Sequence, residues 1–380
     1  RAKINMSSPN MVMRDPVIYR SMISNHHRTG DAWKIYPMYD WTHGESDYIE
    51  QVSHSLCTLE FEPHRELYDW FLDSIGPLKG IRPKQREFSR LNLSYTITSK
   101  RNLARLVEEK LVDGWDDPRM PTISGLRNRG YSPESLKMFA LTVGVSKRES
   151  VIDVSLLEFC ARAHLNEVAP RAMAVINPLK LTITNYEDKA FEEIKFEINP
   201  QKKEIGARKI KFSKTIYIER DDFKEAADDN FFRLKTGGEV RLKNAYIIKA
   251  TEVLKDDKGE VVEVLCEYDK KSKSGSNTPE SNRKVKGTIH WVSATYSVDA
   301  KINIYDRLFK VSEPGKEKDL LADINEDSLH VFEAKVEPHL QRAKEGEKFQ
   351  FQRIGYFVRT ANKKTLEFNK TVGLRDGWKK

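Results

Sequence analysis

Residues 95–100 read Tyr-Thr-Ile-Thr-Ser-Lys, and the rest of the chain is interpreted around this short stretch. It follows the strand-like run Phe88–Leu93. A Ser99–Lys100 pair in a polar turn after a strand predicts an ammonium group on a mobile loop. A preorganised cation of this kind stabilises negative charge that develops on a phosphate in a partly dry site. The pair alone is a weak signal, since most surface lysines have no chemical role and Lys100 also fits a solvated residue that begins a helix.

Three other stretches give the pair its meaning. They read Tyr-Pro-Met-Tyr-Asp-Trp-Thr-His at 36–43, His-Ser-Leu-Cys-Thr-Leu-Glu-Phe at 54–61, and Gly-Trp-Asp-Asp-Pro-Arg-Met-Pro-Thr-Ile-Ser-Gly-Leu-Arg-Asn-Arg-Gly at 114–130. Together with residues 95–100 they resemble the class I aminoacyl-tRNA synthetases, and within that class the glutaminyl-tRNA synthetases. The resemblance extends from Arg1 to about Lys380 and therefore covers the whole chain.

Composition is compatible with this resemblance. The 380 residues carry a net charge of +8, which favours polyanionic partners. The three cysteines lie far apart and form no Cys-x-x-Cys pair, so neither a zinc site nor a disulfide framework is indicated. A reducing, cytoplasmic compartment fits this cysteine usage. No apolar run approaches the roughly 18 residues of a membrane span, so we expect no membrane partner.

Helical spacing of apolar residues marks the first half of the chain. It predicts helices over 67–75, over 100–112, after the Ser132–Pro133 start signal, and over 154–168 ahead of Pro170. Beyond Pro170 the period changes to that of strands, as in Val298–Ile304. Alanine-rich residues 221–232 are an exception that predicts a helix. The Ser- and Lys-rich residues 270–284 predict a flexible surface loop without a site.

We therefore expect a multidomain α/β plus all-β protein. The resemblance places the end of an acceptor-end-binding insertion at 1–38 and the second half of a Rossmann-like catalytic domain at 39–97. A helical subdomain would follow at 98–170, and two antiparallel β-barrels that bind the anticodon at 171–380.

The resemblance also implies roles for residues of the catalytic half. Lys100, with Ser99, would stabilise the phosphates as pyrophosphate leaves, in a loop that usually reads Met-Ser-Lys and here begins with Thr98. The implied ATP contacts are Thr58, Arg90, Leu91, Thr98, Ser99 and Lys100. Leu91 also fits a buried strand residue, and both readings can hold.

The resemblance assigns four residues to the amino-acid pocket. Tyr39 and Phe61 would line it. Cys57 and Gln85 would face the end of the substrate where glutamine and glutamate differ, and these two bear on the choice of amino acid. Related glutamate enzymes carry Arg at the position of Cys57, and a buried unpaired guanidinium would suit a neutral amide poorly. The pocket residues therefore favour glutamine.

In the β half the resemblance implies six anticodon-reading residues: Arg171, Arg233, Arg241, Lys243, Gln350 and Arg353. They stand near phenylalanines on which unpaired bases could stack. The pattern of residues 240–243 also fits alternating cations on a solvated strand, and the pattern alone favours that interpretation. Lys243 replaces an Arg of one well-studied branch, Phe232 replaces a Lys and Pro63 an acidic residue, which puts readout of the first anticodon base and of the acceptor stem in doubt.

The expected reaction is ATP-dependent activation of glutamine and its transfer to the 3′ end of tRNA(Gln) by a monomer. Mg²⁺ is expected with ATP, and no protein metal site is identified. The first signature motif of the class is absent from the sequence. The resemblance therefore implies that the chain corresponds to the C-terminal two-thirds of such an enzyme and is inactive alone. Two alternatives remain: a glutamyl-tRNA synthetase of β-barrel type, or a non-catalytic tRNA-binding protein.

Overall fold

A computed structural model describes residues 1–77, 79–228, 230–317 and 319–375. The chain forms two compact units. Unit 1 comprises residues 1–92 and 143–152, and unit 2 comprises residues 93–142 together with the chain from Asp153 onward.

Unit 1 is a mixed α/β body. Its strands are β1 (Tyr19–Ser21), β2 (Ile35–Pro37), β3 (His54–Thr58) and β4 (Lys84–Phe88), and its helices are α1 (Tyr39–Ile49) and α2 (Arg65–Ser74). β1 pairs antiparallel with β2, and β3 pairs parallel with β4. Helix α2 buries Leu67 and Phe71 at helical spacing, where they form a core with Ala2 and Met13. Gly44 permits close packing, because a Cβ there would lie 3.0 Å from the Tyr68 ring.

Along the chain, β4 is followed by four helices with two short strands among them. They are α3 (Lys100–Glu108), α4 (Ile123–Arg129), α5 (Pro133–Val143) and α6 (Val154–Val168), and the strands are β5 (Asn92–Leu93) and β6 (Val151–Ile152). Helix α6 has the predicted bounds, and Asp153 caps it by accepting a 2.9 Å hydrogen bond from the Ser155 amide. The Ser132 hydroxyl likewise accepts from the Ser135 amide at the start of α5.

Helix α3 is shorter than the predicted span 100–112. Lys110 adopts φ +58°, and the Leu111 amide bonds back to the Leu106 carbonyl at 3.0 Å, which ends the helix in a left-handed cap. The buried face of α3 packs into one core with residues far along the chain: Ile97, Leu103, Leu106, Val112, Met120, Leu308, Phe309, Leu320 and Ile324. An ion pair joins Arg105 to Asp319 at 2.8 Å beside this core.

The described β half contains two seven-stranded sheets and two smaller two-stranded ones. The strands are β7 (Arg171–Ala172), β8 (Ala174–Ile176), β9 (Pro178–Ile183), β10 (Phe191–Glu197), β11 (Ala207–Ser213), β12 (Thr215–Glu219), β13 (Phe223–Lys224), β14 (Leu234–Lys235), β15 (Glu239–Leu242), β16 (Ile247–Lys255), β17 (Val261–Tyr268), β18 (Thr288–Ile289), β19 (Val292–Ser293), β20 (Val298–Tyr305), β21 (Leu329–Val336), β22 (Lys348–Phe351), β23 (Gly355–Arg359) and β24 (Glu367–Gly373). The first large sheet has the order β18-β15-β16-β17-β9-β12-β19 and the second β7-β22-β23-β24-β20-β21-β8, and each contains antiparallel and parallel pairs. The small sheets pair β10 with β11 and β13 with β14. Each large sheet covers its own apolar core, one around Trp291 and one around Phe351.

Three local predictions are wrong. The strand predicted over 88–93 is interrupted: Phe88 ends β4 and residues 92–93 form β5, but residues 89–91 belong to neither. The helix predicted over 221–232 is absent from its described part, where Phe223 is instead buried by the parallel pairing of β13 with β14. Residues 270–284 form ordered structure that includes helix α7 (Pro279–Asn282). Ser272 within them is fully buried because its hydroxyl accepts from the Ile247 amide.

Candidate active site and nucleic-acid interface

Tyr39 is the first residue of helix α1 and belongs to a cluster of polar and aromatic side chains in unit 1. Its ring lies 4.6 Å from that of Phe61, and its hydroxyl bonds to His43 Nδ1 at 3.3 Å, one helical turn further on. His43 Nε2 in turn lies 3.5 Å from Asp47. Tyr39 is 48% exposed, so it is an accessible hydrogen-bonding group and not a core aromatic.

Cys57 and Gln85 occupy adjacent strands on the buried side of this cluster. Both are buried, on β3 and β4 respectively. The Gln85 amide donates to the Phe61 carbonyl at 2.8 Å and to the Glu87 carboxylate at 2.9 Å. The sequence pattern therefore brought together four residues that the structure also places in one cluster: Tyr39, Cys57, Phe61 and Gln85.

One buried carboxylate in this cluster is shared by two cations. Glu87 forms a close ion pair with Arg65 and lies 3.3 Å from the Lys147 ammonium. The bond from Arg65 is the largest cause that lowers the pKa of Glu87 to about 2, against the opposing effect of burial. Burial, followed by the charge of Glu87, raises the pKa of the Cys57 thiol to about 11. At neutral pH the thiol is uncharged, and the nearby guanidinium of Arg65 is already compensated.

The other residues of unit 1 that the resemblance assigns to ATP lie at the ends of strands. Thr58 is the last residue of β3, and Arg90 and Leu91 follow the end of β4. Arg90 is exposed and donates to the Asn92 side chain at 3.0 Å. Leu91 is also exposed, so the interpretation of Leu91 as a buried strand residue is wrong.

Thr98, Ser99 and Lys100 lie in unit 2 and are all exposed. Lys100 is the first residue of α3, so the ammonium group projects from a helix start and not from the loop that the sequence predicted. A cation at this end is disfavoured by the helix dipole, and Ser99 offers no side-chain cap. The arrangement is suited to a group that meets an anion.

In the β half of unit 2, Arg233 and Arg353 converge on one buried carboxylate. Asp222 is 1% exposed and accepts two bonds from Arg353, at 2.5 and 2.8 Å, while Arg233 Nε lies 3.3 Å away. Arg353 also bonds to His290 Nδ1 at 3.0 Å and holds a left-handed φ of +68°. Asp222 and His290 were missed from the sequence because no local pattern marks them.

These two arginines border a cleft of about 810 Å³, which we term the Arg233 cleft. Its lining includes Phe231, Phe232, Arg233, Lys286 and Arg353. Phe232 is half exposed, and the Lys286 ammonium lies 5.3 Å from its ring. The cleft thus combines an accessible aromatic face with cations.

Arg171 and Gln350 are register partners on β7 and β22. Arg171 is buried, donates to the Ala169 carbonyl and to Asn166, and makes no ion pair within the described part of the chain. Gln350 has a buried Oε1 that accepts no hydrogen bond there. A second depression contains Phe159, Arg162, Asn166, Gln350 and Tyr356, and we term it the Gln350 depression.

Arg241 and Lys243 differ in how free their charged groups are to bind a ligand. The Arg241 guanidinium donates to backbone carbonyls of Ser272, Ser281 and Arg283, so it holds the segment that the sequence predicted to be flexible. Lys243 is half-buried, and burial together with the charge of Arg353 lowers its pKa.

The aromatic residues near the predicted readers do not all fit a stacking role. Phe349 and Phe351 are buried in the core of the second sheet, so the expectation that bases stack on them is wrong. Phe159, which the sequence did not indicate, is 58% exposed on α6 and lines the Gln350 depression. Phe159 lies outside the buried face of that helix. This position is the only feature by which the sequence could have indicated that its side chain is accessible.

The described residues contain no group of three His, Cys, Asp or Glu side chains placed to hold a metal ion. All three cysteines are free and buried. Over the ranges that the structure describes, none of the helices combines the length and apolar character needed to cross a bilayer.

Family models match successive parts of the chain. Residues 1–167 match the catalytic domain of class I tRNA synthetases (E and Q), and residues 169–269 and 288–360 match two anticodon-binding domains of the same group. These matches define a class I aminoacyl-tRNA synthetase catalytic region followed by anticodon-binding domains.

Comparison with individual relatives identifies the family within this class. The chain is 52% identical over its whole length to proteins named glutamine–tRNA ligase from Cronobacter sakazakii and Vibrio vulnificus, and it covers 68% of each of them. It is 51% identical to the protein of that name from Rhodopirellula baltica and covers 63% of it. The chain belongs to the glutamine–tRNA ligase family of class I aminoacyl-tRNA synthetases, which confirms the predicted resemblance.

Proposed function

We propose that this protein is a glutamine–tRNA ligase. It activates glutamine with ATP to form glutaminyl-adenylate and transfers the glutaminyl group to the 3′ end of tRNA(Gln). The uncharged, buried thiol of Cys57 is the observation that carries the choice of glutamine over glutamate.

The pocket end of this cluster matches an amide better than a carboxylate. The Cys57 thiol is uncharged, and Glu87 pairs with both Arg65 and Lys147. A bound glutamate would bring a carboxylate beside this uncharged thiol, and burying such a charge unpaired is costly. Glutamine brings a neutral amide, which can exchange hydrogen bonds with the Tyr39 hydroxyl.

Lys100 would stabilise charge on the ATP phosphates as pyrophosphate leaves, supported by its exposed place at the start of α3. The resemblance assigns adenosine contacts to Arg90 and Leu91, and further ATP contacts to Thr58, Thr98 and Ser99. Mg²⁺ would arrive bound to the phosphates of ATP, which is how this ion usually enters nucleotide sites.

The β half would bind the anticodon of tRNA(Gln). The Arg233 cleft and the Gln350 depression each pair an exposed aromatic with polar groups, the combination by which unpaired bases are stacked and read on their edges. Arg171, Arg233, Lys243, Gln350 and Arg353 remain our proposed readers. Arg241 would act through the segment 270–284 that it holds.

We also retain the domain assignment as a proposal. Residues 1–38 would end an acceptor-binding insertion, 39–97 would complete a Rossmann-like domain, 98–170 would be a helical subdomain, and 171–380 would form two β-barrels. The two seven-stranded sheets and their separate cores support the last division.

Charging of purified tRNA tests the function directly. The complete encoded protein should charge tRNA with glutamine in strong preference to glutamate. Cys57→Arg should lower kcat/KM for glutamine roughly 100-fold, because the site then holds a charge that an amide cannot compensate. Leu56→Arg is the matched control, since Leu56 is the neighbouring residue of β3 and is 62% exposed. Preference of the wild type for glutamate, or equal effects of the two variants, would contradict the proposal.

A further inference from the structure

A cavity of about 610 Å³ in unit 2 has an excess of positive charge that the proposed readers do not explain. We term it the basic cavity. Its charged lining residues are the cations Arg129, Arg162, Arg307, Arg353, Lys370 and Arg375 and the carboxylates Glu158 and Asp306.

Arg353 is paired with Asp222 outside the cavity, and the two lining carboxylates do not compensate all of the remaining cations. Glu158 is shared by Arg307 at 2.5 Å and Arg162 at 3.9 Å. Arg129 lies 4.8 Å from the centroid of the Tyr305 ring and donates to the carbonyls of Tyr305 and Thr371. Neither Arg129 nor Lys370 forms an ion pair with any carboxylate of the residues described here. Burial lowers the pKa of Lys370, and the neighbouring charge of Arg129 lowers it further.

The exposure of these cations matters for what the cavity can hold. Arg129 and Lys370 are half-buried and lack counter-charges among the described residues, which reduces stability in the free protein. Thr371 also lines the cavity, but its Oγ1 is buried against Gly130 and makes no hydrogen bond within the described part of the protein. An anion with several oxygen acceptors would compensate the two cations.

The position of the cavity indicates which anion. It shares Arg353 with the Arg233 cleft and Arg162 with the Gln350 depression. It therefore borders both clefts in which we place bases. Two nucleotides with one base in each cleft would carry the backbone that joins them past this cavity.

We propose that the basic cavity binds a phosphodiester of the anticodon loop, with Lys370 as its principal free cation. This inference rests on the proposed tRNA function and adds a residue that positions the loop without reading its sequence. Phosphate contacts fix register and are indifferent to the base.

The test uses Lys370→Met, which keeps the length of the side chain and removes its charge. Binding of tRNA(Gln) by the 380-residue chain should weaken about tenfold, the scale of a hydrogen bond to a charged group. The slope of log affinity against log salt should fall by about one, and an unrelated tRNA should lose affinity by the same factor. Lys370→Arg should restore binding. Lys364→Met is the matched control, because Lys364 is exposed in the turn before β24 and lines none of the three clefts.

A change in the RNA tests the contact without altering the protein. Anticodon stem–loops with one neutral methylphosphonate linkage should weaken wild-type binding at one position, and the same RNA should bind Lys370→Met no more weakly than the unmodified RNA does. If no linkage has this effect, or if Lys370→Met behaves like Lys364→Met while wild type still selects tRNA(Gln), this inference fails and the proposed function stands. If inorganic phosphate binds the cavity but no linkage matters, the site is for a free anion and the inference is overturned. If wild type binds no tRNA, both proposals fail.

Discussion

Replacing Glu87 by glutamine tests whether an ion pair keeps the amino-acid pocket neutral. The change preserves the shape of the side chain and removes its charge. The bond from Arg65 holds the pKa of Glu87 at about 2, below its ordinary 4.5, and this difference corresponds to about 3 kcal/mol of stabilisation. Because the pKa in the folded state is lowered, this stabilisation is present above pH 4.5 and is lost as the pH falls towards 2.

Urea unfolding at pH 6 and at pH 3 measures this contribution. Tryptophan fluorescence follows the unfolding of both units, because Trp41 and Trp70 pack against the core of unit 1 and Trp291 is buried in unit 2. Wild type should exceed Glu87→Gln in free energy of unfolding by about 1–3 kcal/mol at pH 6, and the two should approach each other at pH 3. Glu50→Gln is the control, since Glu50 is exposed at the end of α1 and should change stability by less than about 0.5 kcal/mol.

The same variant has a consequence for substrate choice. Without Glu87, Arg65 becomes an uncompensated cation close to Cys57. The complete protein carrying Glu87→Gln should therefore lose part of its discrimination against glutamate in the charging assay. A stability difference from wild type that is equal at pH 6 and pH 3, or selectivity identical to wild type, would refute the reasoning.

Three further outcomes are expected. Burial raises the pKa of the Cys57 thiol to about 11. Its alkylation by iodoacetamide, followed by peptide mass spectrometry, should therefore be slow at pH 8 and accelerate only towards pH 11. A midpoint of the alkylation rate near pH 9 would disprove the buried environment. Lys100→Ala in the complete protein should slow adenylate formation about 100-fold with little change in glutamine affinity, and a rate within about twofold of wild type would exclude the role. Arg233→Ala should weaken binding of the cognate anticodon by about 1–3 kcal/mol while Lys271→Ala, on an exposed segment, has a slight effect on all tRNAs alike. Equal loss for every tRNA with Arg233→Ala would make that residue a phosphate contact.

Local signals determined which elements were predictable. Helix α6 begins after Asp153 and ends before Pro170, and both boundaries are encoded by neighbouring residues. Residues 221–232 carry helical composition, yet Phe223 is buried through pairing with a strand eleven positions further on, so tertiary structure overrides propensity. Ser272 is buried for the same kind of reason, because its partner Ile247 lies in another strand.

The residues of the candidate site also differ in whether the sequence alone could predict them. Tyr39 and Cys57 could be proposed because they stand within the stretches at 36–43 and 54–61, and the structure places both in one cluster with Gln85. Asp222 was not, because its partner Arg353 lies 131 positions away and a single aspartate carries no pattern. The sequence also could not distinguish Phe232, which is accessible, from Phe351, which is core, since burial depends on which strands pair.

The core shared by α3 and residues 308–324 bears on how the protein is made. Leu106 and Leu308 are about 200 positions apart, so a ribosome releases the helix long before the residues that cover its apolar face. Until then Leu103 and Leu106 are exposed to solvent and to other nascent chains. Slowing translation between these segments should prolong that exposure, so the yield of native protein would depend on elongation rate and on chaperones that bind short apolar helices.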